Sequence, residues 1–199
     1  MTISHYPPKK PQRILGAADQ PLVWIDCEMT GLDLRSDRLL EVAVIVTDGD
    51  LNTVDEGVSY VIRTQPEVLD RMNPWCVGQH EKSGLTAECK DPAKSLPLDD
   101  VRKAIYAYIT SRVDTKGIAH LAGNSVHMDK CFLRNEIPEL IDYLHYRIVD
   151  VSTIKELVKR WHGREWKQGK GLHRALDDIR GSIDELRWYR SNFFANASP

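Results

Sequence analysis

Leu22-Val23-Trp24-Ile25-Asp26-Cys27-Glu28-Met29 is an apolar run broken twice by acids and closed by Thr30-Gly31. A run of this length and character, ending at a turn signal, reads as a buried strand. Side chains alternate along a strand, so Asp26 and Glu28 point to the same face. Carboxylates placed so close repel each other, and burial disfavours both ionised forms. One resolution is structural: the pair sits at the exposed end of an edge strand and ligates nothing. The other is a bound divalent cation, which takes carboxylate oxygens and removes the repulsion. Further acids downstream favour the second.

Outward from this strand, Arg38 to Asp48 holds Leu39-Leu40-Glu41-Val42-Ala43-Val44-Ile45-Val46, rich in β-branched residues and ended by Asp48-Gly49-Asp50. It reads as a second strand. Val58 to Ile62 reads as a third, and three strands in a row with short turns suggest an antiparallel meander. Leu98 to Val113 carries Val101, Ile105, Tyr108 and Ile109 at helical spacing. His120 to Gly123 is a short fourth strand. Met128 to Leu144 is helical in two pieces, the second started by Pro138. Arg147 to Asp150 is a fifth strand, and Ser152 reads as the N-cap of the next helix. Leu176, Ile179, Ile183, Leu186 and Tyr189 form the apolar stripe of a final helix. Strands first, then helices alternating with strands, imply an α/β fold: a mixed five-stranded sheet flanked by helices.

The chain has 199 residues and is 42% hydrophobic, enough for one sizeable core and one domain, placed over residues 21–199. Residues 1–20 read as a flexible tail, because the prolines of His5-Tyr6-Pro7-Pro8-Lys9-Lys10-Pro11 remove donors and fix φ. The tail has no acid before Asp19, as in mitochondrial presequences, but its prolines oppose the amphipathic helix those form. The expected location is cytoplasmic, mitochondrial or both. No stretch approaches the ~20 apolar residues of a membrane span. Cys27, Cys76, Cys89 and Cys131 lie far apart without a CxxC pair, which argues against a zinc ribbon and suits a reducing compartment. A net charge of -2 excludes a polycation that coats long nucleic acid.

Asp129 follows the fourth strand through Gly123-Asn124-Ser125, where a helix begins, and Asp178 lies near the start of the final helix. Either could serve only as a helix-dipole partner. Asp150, at the end of the fifth strand, reads as a structural cap of the following helix. His173 follows the glycine-rich Gly169-Lys170-Gly171 and stands five residues before Asp178. A loop histidine over a metal site is suited to taking a proton from water, since its pKa lies near neutrality.

Four blocks, in order, resemble the oligoribonuclease family: Trp24 to Leu32, Ala122 to Asp129, His145 to Thr153, and His173-Arg174-Ala175-Leu176-Asp177-Asp178-Ile179. These are 3′-to-5′ exoribonucleases in a superfamily named for four acids and a histidine. The resemblance runs from about Leu22 to Phe194 and implies an RNase H-like fold. It implies that Asp26, Glu28, Asp129 and Asp178 hold two Mg²⁺ or Mn²⁺ ions and that His173 is the general base. Leu32 matches an apolar wedge between two bases, and Trp75 and His80 match a segment that contacts the 3′ nucleotide. Ser125, Tyr146, Arg147, Ser152 and Thr153 match groups around the 5′ phosphate, some supplied by the second subunit of a homodimer. Taken alone, Trp75 could equally be a core residue and Arg147 a residue at the sheet end. One departure from the family pattern is the stretch Trp161 to Gly171, which is short and basic.

Three functions compete on this reading. The first is an exonuclease of very short RNA, with short oligonucleotides and a second copy of the chain as partners. The second is a trimming exonuclease of long strands, which needs many phosphate contacts that the near-neutral charge does not favour. The third is a catalytically silent nucleic-acid-binding module on the same fold. The presence of all four acids and the histidine counts against the third.

Overall fold

Five strands hydrogen-bond into one sheet: β1 (Leu22–Met29), β2 (Leu39–Thr47), β3 (Val58–Val61), β4 (His120–Gly123) and β5 (His145–Asp150). Their spatial order is β3-β2-β1-β4-β5. The first three form the expected antiparallel meander, while β4 runs parallel to β1 and β5 parallel to β4. This computed structural model describes residues 9–11, 13–167 and 174–194.

The two faces of β1 and β2 alternate as a period of two requires. Val23, Ile25 and Cys27, with Val42, Val44 and Val46, pack against α4 (Leu98–Thr110), α5 (His127–Glu136) and α6 (Pro138–Tyr143). Trp24, Ala43 and Ile45 face α7 (Val151–His162) and α8 (Ala175–Tyr189). Trp24 is fully buried, and its Nε1–H donates to Thr47 Oγ1 at 3.0 Å. Removing such a ring costs about 3–5 kcal/mol. Ile179, Ile183 and Tyr189 of the expected stripe are buried against this second face.

Three short helices were not expected: α1 (Pro66–Leu69), α2 (Pro74–Ser83) and α3 (Leu85–Lys90). Leu69, Met72, Cys76, Leu85 and Cys89 form a small third core with Leu40 and Val61. The first two helices start on Pro66 and Pro74, and Asn73 caps α2 by accepting the Cys76 N–H. Two expected boundaries also change. The fifth strand begins at His145, and the N-cap of α7 is Asp150, whose carboxylate accepts the Ser152 N–H; Ser152 itself lies inside the helix. An aspartate ending a strand is as good a cap as the serine two residues on, and it comes first.

The stretch expected to trail up to Gln20 is packed before that point. Leu15 is fully buried and pairs with the chain at Val113, and Arg112 holds the carbonyl of Lys9. A short helical turn follows at Ala17–Asp19. Among the described residues no helix is long and apolar enough to cross a membrane.

β4 pairs with β1 only from Leu22 to Trp24. A Cβ at Gly123 would stand 2.8 Å from the Ile25 carbonyl oxygen, so only glycine lets the chain pass there. Beyond that point the C-terminal half of β1 has no β4 neighbour, and the candidate site lies along it.

Candidate active site

Asp26 and Glu28 share the face of β1 that carries Trp24, the face that α8 covers. Asp178, in the first turn of α8, meets them there. One carboxylate oxygen from each of Asp26, Glu28 and Asp178 lies within 4.8 Å of the other two. Asp129 does not join that group of three. Its Oδ1 accepts the Cys27 N–H at 2.9 Å, which β4 ends too early to engage. The fourth acid therefore stands at the same end of β1 but spends an oxygen on backbone.

Burial, and then the charges of Asp129, Glu28, Asp178 and Glu41, hold the Asp26 carboxyl well above its ordinary range. Burial pushes Glu28 up to about 8, with Glu41 and Asp178 adding to the shift and Arg174 opposing it. Asp129 is raised to about 6, again by burial, against the stabilising Cys27 N–H. Acids whose ionised forms are disfavoured by burial and by one another, three of them with oxygens within 4.8 Å, fit a hard divalent cation, which would stabilise the ionised forms together.

Glu28 is backed by two groups. Across the strand pair its direct partner is Glu41 on β2. On the other side His80 of α2 is almost fully buried; its Nε2–H donates to the Met29 carbonyl at 2.8 Å, and Nδ1 stands 3.9 Å from Glu28 Oε2. His80, which the family match put against the 3′ nucleotide, thus stands beside Glu28 at the end of β1.

Trp75 and Leu32 behave differently: they are 73% and 68% exposed. The alternative reading of Trp75 as core is thereby excluded. A cavity of about 360 Å³ lined by Thr30, Ser36, Asp37, Arg38, Val68 and Arg71 borders the loop that carries Leu32. Tyr146 is 72% exposed and Arg147 is exposed beside it, on the edge strand β5.

Ser125, Ser152 and Asp150 form one cluster. Asp150 Oδ1 accepts the Ser125 N–H at 2.9 Å, the Ser152 N–H at 3.0 Å and the Ser152 hydroxyl at 2.6 Å. Ser125 holds φ 51°, a left-handed conformation that costs a serine energy and that Asp150 compensates. Asp150 thus has the structural role expected of it and also joins the β4–α5 loop to α7. Thr153 lies exposed next to Ser152. His173 falls outside the described residues, directly before Arg174.

A family model described as Exonuclease matches residues 23–186. The "Probable oligoribonuclease" of Schizosaccharomyces pombe is 52% identical over 173 residues, which cover 86% of this chain and 68% of that protein. That of Dictyostelium discoideum is 43% identical over 91% of this chain and 94% of its own length. The human "Oligoribonuclease, mitochondrial" is 44% identical over 88% of this chain and 74% of its own length. The chain belongs to the oligoribonuclease family of exonucleases. Among solved structures, the zinc-bound Escherichia coli exonuclease I–single-stranded DNA complex superposes with a TM-score of 0.65 at 14% identity, over 92% of this chain. Exonuclease I of Methylocaldum szegediense gives 0.63 at 19% identity over 88%. This chain spans 41% and 43% of those two larger chains, and at such identities they bear on the fold, an RNase H-like one.

The oligoribonuclease blocks left two nearby residues without a role. Glu41 lies in an apolar strand run just as Asp26 and Glu28 do, and that same anomaly marks it in the sequence. Arg174 gives no such signal, since its partners are distant along the chain.

Proposed function

We propose that this chain is a 3′-to-5′ exoribonuclease of very short RNA, above all 5′-phosphorylated dinucleotides, releasing nucleoside 5′-monophosphates. The observation that carries the reading is the convergence of Asp26, Glu28 and Asp178 at the free end of β1, in a chain of the oligoribonuclease family. The catalytic unit is a single domain, residues 21–199 together with the packed stretch from Leu15, and it works in the cytoplasm, in mitochondria or in both; the human and bovine relatives are named mitochondrial.

Asp26, Glu28, Asp129 and Asp178 would hold two Mg²⁺ or Mn²⁺ ions. When bound, such a pair stabilises charge on both the entering and the leaving oxygen of an in-line displacement. His173 takes a proton from the attacking water, a role suited to an imidazole, whose ordinary pKa lies near neutrality. The water oxygen bonds to the phosphorus of the last phosphodiester as the bond to the preceding 3′ oxygen breaks, and that oxygen takes up a proton from solvent to become a hydroxyl. The 3′-terminal nucleotide leaves as its 5′-monophosphate.

The exposed Leu32 and Trp75 would grip the two bases, at ~1–3 kcal/mol per base stacked on an aromatic. His80 would add a contact to the 3′ nucleotide from its place beside Glu28 and Met29. Arg147 would hold the 5′ phosphate by charge-assisted hydrogen bonds, with Ser125, Ser152 and Thr153 adding donors. The exposure of Tyr146 and Arg147 on an edge strand supports their reaching a second subunit, so the working form is a homodimer. A site closed at the 5′ end suits a net charge of -2, because so few phosphates need neutralising.

The test is release of labelled mononucleotide from a 5′-phosphorylated dinucleotide with Mg²⁺ and with EDTA. Metal-dependent release supports the reading, and a dinucleotide left intact with Mg²⁺ and Mn²⁺ alike defeats it.

A further inference from the structure

Arg174 is the N-cap residue of α8, and its guanidinium contacts both β2 and α3. Nε donates to Glu41 Oε2 at 3.0 Å and Nη2 to Glu41 Oε1 at 3.1 Å, a two-pronged grip on a carboxylate that is 1% exposed. Nη2 also lies 2.9 Å from Glu88 Oε2 on α3. Glu41 takes a further hydrogen bond from the Ser59 hydroxyl at 2.6 Å. The backbone of Arg174 is held as firmly as its side chain: its carbonyl accepts the N–H of Asp177 at 2.9 Å and that of Asp178 at 3.1 Å, starting α8.

Two of these links end at the carboxylate site. Asp178 hangs by its own N–H from the Arg174 carbonyl, and Glu41 is the direct cross-strand partner of Glu28. The third runs to α3, which follows the α2 helix bearing Trp75 and His80. A buried ion pair is a poor device for stability alone, because desolvation consumes most of its attraction. It is a good device for holding parts in one register, and a guanidinium fork defines direction where an ammonium would not.

We infer that Arg174 is a positioning residue of the carboxylate site: one guanidinium ties the start of α8 to Glu41 on β2 and to Glu88 on α3, and so sets Asp178 against Asp26 and Glu28. The inference rests on the proposed reading of that site as a divalent-ion site. It adds that the helix carrying Asp178 is placed by a clamp outside the ligand set. Glu41 is the main anchor, since it is buried and gripped at both oxygens. Glu88 is the secondary one, joining the α2–α3 pair to the same point.

Arg174→Lys keeps the charge and loses the fork. Its Mn²⁺ affinity, read by calorimetry on the full chain without substrate, is expected to fall about tenfold. Its kcat on a 5′-phosphorylated dinucleotide should fall ~10²-fold, the scale of a misplacement near 1 Å, with KM changed far less. Glu41→Gln should act in the same direction, and Glu88→Gln less. Arg174→Ala strands Glu41 without its cation and can fail to fold, so Arg174→Lys, checked by its melting curve, decides. A folded Arg174→Lys chain with wild-type Mn²⁺ affinity and wild-type kcat overturns the inference, whatever its melting temperature. A wild-type chain that binds Mn²⁺ but frees no mononucleotide defeats the functional reading alone, and the calorimetry still tests the clamp. A wild-type chain that binds no Mn²⁺ overturns both.

Discussion

Replacing Glu28 by Gln should stabilise the metal-free protein, and the gain should depend on pH in a defined direction. In the folded chain burial and the neighbouring acids raise Glu28 from 4.5 to about 8. The unfolded chain releases this proton near its ordinary value and the folded chain only near 8. Between those limits the unfolded state binds fewer protons, so stability is full at low pH, falls as pH rises, and levels off above about 8. At ~1.4 kcal/mol per pKa unit the full cost is close to ~5 kcal/mol. The Glu28 side chain is 18% exposed, and water reaching it reduces that figure, so about 2 kcal/mol is the expected net effect at pH 8. For a domain of this size that is ~4–8 °C in melting temperature. Thermal melts in EDTA from pH 4 to pH 9 should show parent and Glu28→Gln chains converging at the acid end. The variant should melt higher at pH 8, with a shallower pH slope, because Asp26 and Asp129 shift the same way and remain. Mn²⁺ should raise the parent's melting temperature more at pH 8 than at pH 5.5, since protons compete for the ligands. A parent melting temperature that is flat or rising from pH 5 to pH 8 in EDTA would refute the reasoning. So would a Glu28→Gln chain that melts below the parent at pH 8.

Other substitutions separate the proposed roles. Asp26→Asn should abolish turnover without lowering the metal-free melting temperature; near-normal Mg²⁺-dependent activity would remove Asp26 from the ligand set. His173→Ala should lower kcat by ~10²–10⁴-fold and leave Mn²⁺ affinity intact, and a rate that hardly changes at saturating substrate would place the base elsewhere. Mixing inactive Asp26→Asn chains with inactive Arg147→Ala chains should restore one working site per heterodimer, and a fully active monomer by sedimentation would contradict the shared site.

What could be read from the residues was what local periodicity controls. The alternation along Leu22 to Met29 put Asp26 and Glu28 on one face, and the structure has them there because β1 is buried on both faces and cannot slip by one residue. The stripe from Leu176 to Tyr189 was legible for the same reason with a period of 3.6. The helices α1 to α3 were not, because they are short, two of them begin on prolines, and they bury only a scattering of apolar residues. The packed stretch from Leu15 looked like a tail because one buried leucine and backbone pairing to Val113 leave no pattern. Long-range electrostatics were the least legible. Asp129 lies 102 residues from the Cys27 amide it serves, and Arg174 lies 133 residues from Glu41. Glu41 alone carried a signal, an acid inside an apolar strand, and that signal is the one that singles out Asp26 and Glu28.

The central claim is a metal-dependent site closed around two nucleotides and a 5′ phosphate. It is tested most directly by kcat/KM for pNpN, NpN and a 5′-phosphorylated seven-mer, each with Mg²⁺ and with EDTA. The account predicts that pNpN exceeds NpN by about tenfold or more, the worth of one charged hydrogen bond at the phosphate. It predicts that pNpN also far exceeds the seven-mer, and that EDTA abolishes all three. Equal values for the three substrates would contradict it and leave a general exonuclease with an open groove.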